Sequence, residues 1–426
     1  MNWLTGSTTE ILTALKAEVK LAHEDNQEIE EQVRQIIQQV IQNGDKALKN
    51  YSKKFDQVEL KDLFISKETI DLGYKRVEDE VIKALEAAKE NIVSYHQKQK
   101  QHDFMDTEKP GVLRGQLVLP LARVGVYVPG GTAAYPSSVL MNVLPAKIAG
   151  VEEIIMVTPP SVDGIPDVIL AAAKIAGVDK IFQVGGAQSI AALAYGTETV
   201  PKVDKIVGPG NIYVATAKKQ VFGTVGIDMI AGPSEIGIIA DETANPAYIA
   251  ADLLSQAEHD TLARAILVTD SNQLAERVEK EIYRQLETLP RKEIAKQAIE
   301  NHGMIIIAST VAAMFTIMNE IAPEHLEVQL LDPISYLHEI KNAGSIFLGD
   351  YASEPVGDYF SGTNHVLPTS GTAKFYSPLG VYDFVKYSQV TYYTKEALAQ
   401  AKDAIALLAR KEGLEAHARA VEYRFK

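Results

Sequence analysis

The chain has 426 residues, with 42 Lys+Arg against 56 Asp+Glu for a formal net charge of −14. At roughly 100–200 residues per domain that length suits two to four domains. An acidic chain without a Lys/Arg block argues against nucleic acid or an anionic membrane as the main partner. The absence of cysteine excludes disulfide frameworks, thiolate zinc sites, iron–sulfur clusters and a cysteine nucleophile.

Residues 1–16 lack the basic-then-apolar pattern of a signal peptide, and no apolar run approaches the ~18 residues that span a bilayer. The expectation is a soluble, cytoplasmic, multidomain α/β protein. The first hundred residues read as helix. Ile29, Val33, Ile36, Ile37, Val40 and Ile41 fall on one helical face, and Gly44 suits the stop. His23, His96 and His102 sit in polar helical surroundings and read as surface residues.

From Val124 the texture changes to β-branched runs at residues 124–128, 154–157, 181–184, 206–207 and 227–230, each followed by Gly or Pro and an Ala-rich helical stretch. Strand–turn–helix repetition predicts a parallel sheet covered on both faces. Ala146-Lys-Ile-Ala-Gly150 recurs as Ala173-Lys-Ile-Ala-Gly177, which reads as one helix-to-strand corner built twice. A second series follows at residues 236–240, 265–269, 304–308, 328–330 and 345–348. The fold expected is therefore α/β, with two tandem open parallel sheets, a cleft between them, and ligands at the carboxyl ends of the strands. Residues 353–377 read as a long functional loop. The last thirty residues return to helix, with Leu398, Ala401, Ile405 and Leu408 on one stripe.

Three glycine turns, Pro129-Gly130-Gly131, Gly185-Gly186-Ala187 and Gly208-Pro209-Gly210-Asn211, each follow a strand and open a helix. Backbone N–H groups and a helix N-terminus there suit a phosphate, although Gly-x-Gly-x-x-Gly is absent. Tyr127, Gln188 and Asn211 stand beside these turns. Among the nine histidines, His302 and His338 read as structural. Gln256 and His259 fall one helical turn apart on one face, which by itself reads as a capped helix end with a solvated histidine. Glu324 and His325 follow Pro323 as a loop pair just before a strand, suited to acid–base work or to a polar turn. Asp358 lies in a Gly-rich loop, and His417 in the tail. No strong zinc signature is present.

Taken in order, Arg123-Val-Gly-Val-Tyr-Val-Pro-Gly-Gly131, Gly185-Gly-Ala-Gln-Ser189, Gly208-Pro-Gly-Asn211, Ala231-Gly-Pro-Ser-Glu235, Asp252-Leu-Leu-Ser-Gln-Ala-Glu-His-Asp260, Ala322-Pro-Glu-His-Leu-Glu327, Gly357-Asp358 and Leu414-Glu-Ala-His417 resemble the histidinol dehydrogenase family over essentially the whole chain. The resemblance implies NAD-dependent oxidation of L-histidinol to L-histidine through the aldehyde. It implies Gln256, His259, Asp358 and His417 as ligands of one zinc ion per subunit, and Glu324 and His325 as the catalytic pair. Ser234 and Glu412 would contact substrate, together with those ligands and His325, and Tyr127, Gln188 and Asn211 would contact NAD.

It also implies two incomplete Rossmann-like domains, residues 26–122 with 234–376 and residues 123–233. A helical segment 1–25 would precede them, and a dimerising tail 377–426 would be exchanged in a homodimer. The chemistry agrees. Imidazole, carboxylate and amide donors suit zinc, and an imidazole of ordinary pKa ~6.5 suits proton removal from an alcohol. Without a thiol, the second oxidation would run through a hydrate formed with Glu324. Two other readings are the same fold acting on another small alcohol, and a zinc hydrolase that needs no nicotinamide. A third, a non-catalytic metal- or nucleotide-binding protein, is disfavoured by the intact Glu324–His325 pair.

Overall fold

A computed structural model of the chain describes residues 1–21, 27–130 and 134–426. The expected surface His23 and the Gly131 end of the first glycine turn lie outside the described residues. The chain forms two compact units, Met1–Gln99 with Ala122–Phe384, and Lys100–Leu121 with Val385–Lys426.

In chain order, β1 (Asn2–Leu4) is followed by α1 (Thr8–Leu21), α2 (Gln27–Tyr51), α3 (Lys67–Arg76) and α4 (Asp79–His96). Next come β2 (Phe104–Asp106) and β3 (Val112–Pro120). The first alternating run is β4 (Arg123–Tyr127), α5 (Pro136–Ala149), β5 (Glu153–Thr158), α6 (Asp167–Ala176), β6 (Lys180–Gln183), α7 (Gly186–Tyr195), β7 (Lys205–Val207), α8 (Ile212–Val221) and β8 (Gly226–Ile227). The second is β9 (Glu235–Ala240), α9 (Pro246–Ala257), β10 (Arg264–Thr269), α10 (Asn272–Leu286), α11 (Lys292–His302), β11 (Met304–Ile307), α12 (Val311–Ile321), β12 (His325–Gln329), β13 (Ser345–Leu348) and α13 (Glu354–Tyr359). The chain closes with β14 (Val385–Tyr393), α14 (Lys395–Lys411) and α15 (Glu415–Glu422).

The first unit holds the two expected parallel sheets. One runs β6-β5-β4-β7-β8, the other β1-β11-β10-β9-β12-β13. In the second sheet, the face of β9 carrying Ile236 and Ile238 packs with Ile249 and Leu253 of α9 and with residues of α10 and α11. Ile239, Leu326 and Val328 on the other face pack with α1 and α12. The repeated corner is real. Gly150 and Gly177 are left-handed at φ 95° and 82°, and Val151 and Val178 donate back to Ala146 and Ala173 at 3.1 and 2.9 Å, satisfying carbonyls that the helix end orphans.

Several local expectations change. The helix that Gly44 was expected to end resumes beyond a kink at that residue (φ 48°, ψ −132°). His96 is buried, not exposed: its Nδ1 donates to the Ile92 carbonyl at 2.9 Å, so a polar-looking helix face turns inward there. His102 is exposed and outside a helix. Strand β12 begins at His325, three residues before the expected start, which puts that imidazole on the sheet and not in a loop. Asp358 lies on α13 within the segment expected to be loop.

The second unit was expected to be helical in its tail but also contains an antiparallel sheet, β14-β3-β2, with Gln389 opposite Gln116. Its two helices meet through Ala406, Ala409 and Ala418 and through Arg410, which bridges Glu415 and Glu422.

Candidate active site

The Glu324–His325 pair sits at the amino end of β12, where that strand lies beside β9. Helix α9 runs back along the sheet after β9, so its last turn returns Gln256 to this same end. The site is therefore at the amino ends of these strands, contrary to the expected carboxyl ends. The carboxyl-end rule rests on loops that leave strands, whereas these groups come from segments that enter strands or terminate return helices.

One residue holds both members of the pair. The Glu235 N–H donates to Glu324 Oε2 at 2.9 Å, and the Glu235 carbonyl accepts from His325 Nδ1 at 3.1 Å. The Glu235 side chain is itself fixed by Arg264 at 3.1 Å and by the Ser370 N–H at 3.0 Å. With Nδ1 engaged, His325 turns Nε2 toward Asp358 Oδ1 at 3.5 Å and Glu354 Oε1 at 4.0 Å. Nε2 is buried and has no hydrogen-bond partner among the described residues. Phe347 stacks on the ring at 6.1 Å between centroids.

Burial raises Glu324 to about 8, against the opposing pull of His325. For His325 burial disfavours the charged ring, but the carboxylates of Glu324, Asp358 and Glu354 outweigh it and bring the imidazole to about 10. Burial, then the Asp358 charge, raises Glu354 to about 7. Asp358 is buried too, which disfavours its charge, yet the nearby His325 and His365 imidazoles hold it well below the usual carboxylate range. His259 and His365 are lowered chiefly by burial.

His325, Glu354 and Asp358 place ligand-type atoms within 4.8 Å of one another. Gln256 is buried and its Oε1 has no partner among the described residues. His259 follows the end of α9 in a turn closed by its N–H on the Gln256 carbonyl at 3.2 Å, and it is half-buried, not fully solvated. Ser234 immediately precedes β9. Three groups here were given no role in the sequence: Glu354, Glu235, which stood only as the end of a motif, and His365, which stood only as embedded with Asp358 in the expected loop and reaches Ser138 of α5 at 3.3 Å. Only the Gly-Pro-rich setting of Glu354 carried any signal.

The glycine turns lie at the carboxyl ends of the other sheet. Gly208 has φ 112°, and a Cβ there would meet the Tyr127 carbonyl oxygen at 2.1 Å. Tyr127 is buried and its hydroxyl accepts from the Gly186 N–H at 3.4 Å. Gln188 is buried in the first turn of α7. Asn211 is exposed and caps α8, its Oδ1 accepting from Tyr213 and Val214. Glu412 and His417 belong to the second compact unit, where both are exposed.

A buried acid–imidazole pair walled by further carboxyls, on a sheet joined in one unit to another whose strands end in glycine turns, defines an α/β enzyme. The family model for histidinol dehydrogenase matches residues 19–425. Histidinol dehydrogenase from Listeria innocua is 65% identical over 426 residues, all of this chain and 99% of the relative. The Streptococcus mutans enzyme of that name is 60% identical over 424 residues, 100% of this chain and 99% of the relative. The crystal structure of histidinol dehydrogenase from Elizabethkingia anophelis matches with a TM-score of 0.89 at 40% identity, covering 94% of this chain and 92% of that one. The chain belongs to the histidinol dehydrogenase family and is an oxidoreductase. No helix among the described residues is long and apolar enough to cross a membrane.

Proposed function

We propose that the chain oxidises L-histidinol to L-histidine through L-histidinaldehyde, in two NAD-dependent steps with one zinc ion per subunit, as the last steps of cytoplasmic histidine biosynthesis. The observation that carries this reading is the Glu324–His325 pair, held by both backbone groups of Glu235 with Nε2 left unpartnered.

The residues fit both groups the reaction needs. For zinc, Gln256 offers a buried, unpartnered Oε1, Asp358 a charged carboxylate, and His259 an imidazole that burial favours as neutral. Nitrogen and oxygen donors of this kind suit zinc. For NAD, the bare backbone at Gly208 and the starts of α7 and α8 offer N–H groups to a phosphate, beside Tyr127, Gln188 and Asn211. When bound, zinc would hold substrate nitrogen and polarise the hydroxyl, and NAD would take the hydride.

His325 does the proton chemistry at Nε2, because Nδ1–H is tied to Glu235. The carboxylates around the ring keep it protonated in the metal-free chain. With zinc held by Asp358 the carboxylate charge beside the ring would be compensated, and His325 Nε2 would then be the base that takes the alcohol's proton. Ser234, Gln256, His259, Asp358 and Glu412 would position the substrate. In the second step water adds to the aldehyde, with Glu324 as the base. A carboxyl raised toward neutrality by burial suits that task. The resulting diol loses one hydride and two protons to give the carboxylate. With no cysteine in the chain, a thiohemiacetal route is closed. The test is stoichiometry: two NADH per histidinol, with histidine as product. One NADH with aldehyde as the end product overturns the reading, and hydrolysis without NADH would favour the zinc hydrolase.

The site also draws on a partner in this reading. Glu412 and His417 would complete the neighbouring subunit's site in a homodimer with exchanged tails. Support comes from the second unit, whose Leu407 and Leu408 are exposed on α14. Co-expressing His325→Asn and His417→Ala chains should restore activity, because one site in each mixed dimer is then intact. Inactive mixed dimers would place the tail in its own chain's site.

A further inference from the structure

Beneath the candidate site lies a second set of buried polar groups that no step above uses. Strand β12 reads His325-Leu-Glu-Val-Gln329, and the alternation of a strand puts His325, Glu327 and Gln329 on the face toward α9. All three are buried. Gln329 Nε2 donates to Glu327 Oε2 at 2.8 Å and to Asp252 Oδ2 of α9 at 3.1 Å. The Glu327 and Asp252 carboxyls therefore converge on one amide donor.

The other oxygen of Glu327 accepts the N–H of Glu354 at 2.8 Å. Glu354 is the first residue of α13, and that helix has no side-chain cap of its own at Ser353. Asp252 lies one turn before Gln256 on α9, and Ser255 of the same helix donates to Glu354 Oε2 at 2.7 Å. Three elements thus converge on two carboxyls: the helix bearing Gln256, the strand starting at His325, and the helix bearing Asp358.

We propose that Asp252 and Glu327, bridged by Gln329, form a buried carboxyl pair that locks α9, β12 and α13 together and so positions the zinc ligands and His325. Both are positioning residues, and the inference rests on the function proposed above. Burial first, with the Asp252 charge behind it, pushes the Glu327 carboxyl well above its usual range, in keeping with a neutral partner in the pair. Outer hydrogen-bonding groups of this kind typically change metal affinity or turnover ~10–100-fold when removed.

Two variants separate positioning from mere packing. Asp252→Leu combined with Glu327→Met keeps volume and removes both carboxyls, an exchange that usually leaves folding near neutral. It should melt close to wild type yet lose zinc to a chelator at least about tenfold more readily, with kcat down by a similar factor and KM for NAD unchanged. Glu327→Gln keeps an acceptor for the Glu354 N–H, so zinc retention and kcat should stay within about threefold of wild type. The proposal falls if the double variant retains zinc and kcat at wild-type levels. It also falls if Glu327→Gln loses as much as the double variant, or if KM for NAD rises in step with the fall in kcat. Should the double variant not fold, Glu327→Gln is set against Glu327→Met alone, and equal zinc retention by those two overturns the clamp. Failure of the wild-type protein to bind zinc or oxidise histidinol would instead count against the functional reading.

Discussion

Strands β5 and β12 are both interior strands of parallel sheets in one unit, and they are built on opposite plans. β5 buries Ile154, Ile155, Met156 and Val157 completely, the near-continuous apolar run expected of a strand covered on both faces. β12 is equally buried, yet on one face it carries His325, Glu327 and Gln329. Buried polar groups cost free energy unless each finds a partner; here Gln329 joins Glu327 to Asp252, and His325 bonds the Glu235 carbonyl through Nδ1 while its Nε2 stays unpartnered. The first sheet's interior therefore serves the fold, whereas the second sheet's central face carries the polar cluster to which the proposed chemistry is assigned. The positions of the candidate sites follow the same division, with glycine turns at the carboxyl ends of one sheet and an acid–imidazole cluster at the amino ends of the other.

The sharpest break in this comparison is at the head of β12. His325→Asn should lower alcohol oxidation by ~10²–10⁴-fold, the usual contribution of a general base, while the melting temperature changes little. Glu324→Gln should impair oxidation of supplied histidinaldehyde more than that of histidinol, because it removes the base for water. Separate rate measurements on the two substrates check both. Equal losses on both substrates in both variants would erase the assigned division of labour.

On β5 the pattern should reverse. Ile155→Ala removes a fully buried side chain and should cost ~2–5 kcal/mol of stability, read by denaturant unfolding, with kcat of the folded protein unchanged. A large loss of kcat without loss of stability would mean that the first sheet's interior is not simply a scaffold.

The glycine turn gives a smaller, more selective effect. In Gly208→Ala the new methyl meets the Tyr127 carbonyl, and φ of 112° is unfavourable for alanine. The turn must shift, so KM for NAD should rise about tenfold, equivalent to ~1.4 kcal/mol within the 1–3 kcal/mol typical of local backbone strain. Zinc content should be unaffected, and zinc loss in that variant would mean the two regions are not separable.

How much of this was legible in sequence follows from the same contrast. Apolar periodicity finds strands such as β5 and β9, and the glycine corners at Gly150 and Gly177 repeat openly. Polar–apolar alternation in His-Leu-Glu-Val-Gln reads instead as a half-exposed strand, because nothing local reveals that Asp252, 77 positions before Gln329, supplies the missing partner. Glu354 was hidden for a related reason: its segment has the Gly/Pro texture of a loop, and its helix is capped by a residue from another strand. The antiparallel sheet of the second unit is different. Val, Thr and Tyr in β14 carry strand propensity, but the helical pattern beside them dominated the reading.

The smallest expected effect concerns a carboxyl that lacks what β12 provides. Asp56 stands in the turn after α2, with a buried Oδ2 that has no hydrogen-bond partner among the described residues. Burial raises it to about 6 from an ordinary 3.8. A folded-state pKa above the unfolded one means that folding favours the protonated form. Its contribution to stability is complete below about pH 4 and is lost as pH rises through about 6. Asp56→Asn removes the titration while keeping the shape. The variant should therefore melt at the wild-type temperature near pH 4 and a little above it near pH 7.5, by less than the full shift implies because the group is only about half buried. Calorimetry at the two pH values decides it. An equal shift at both would mean that shape, not charge, governs this position, and a lower melting temperature at pH 7.5 would mean that the Asp56 carboxylate has a stabilising partner after all.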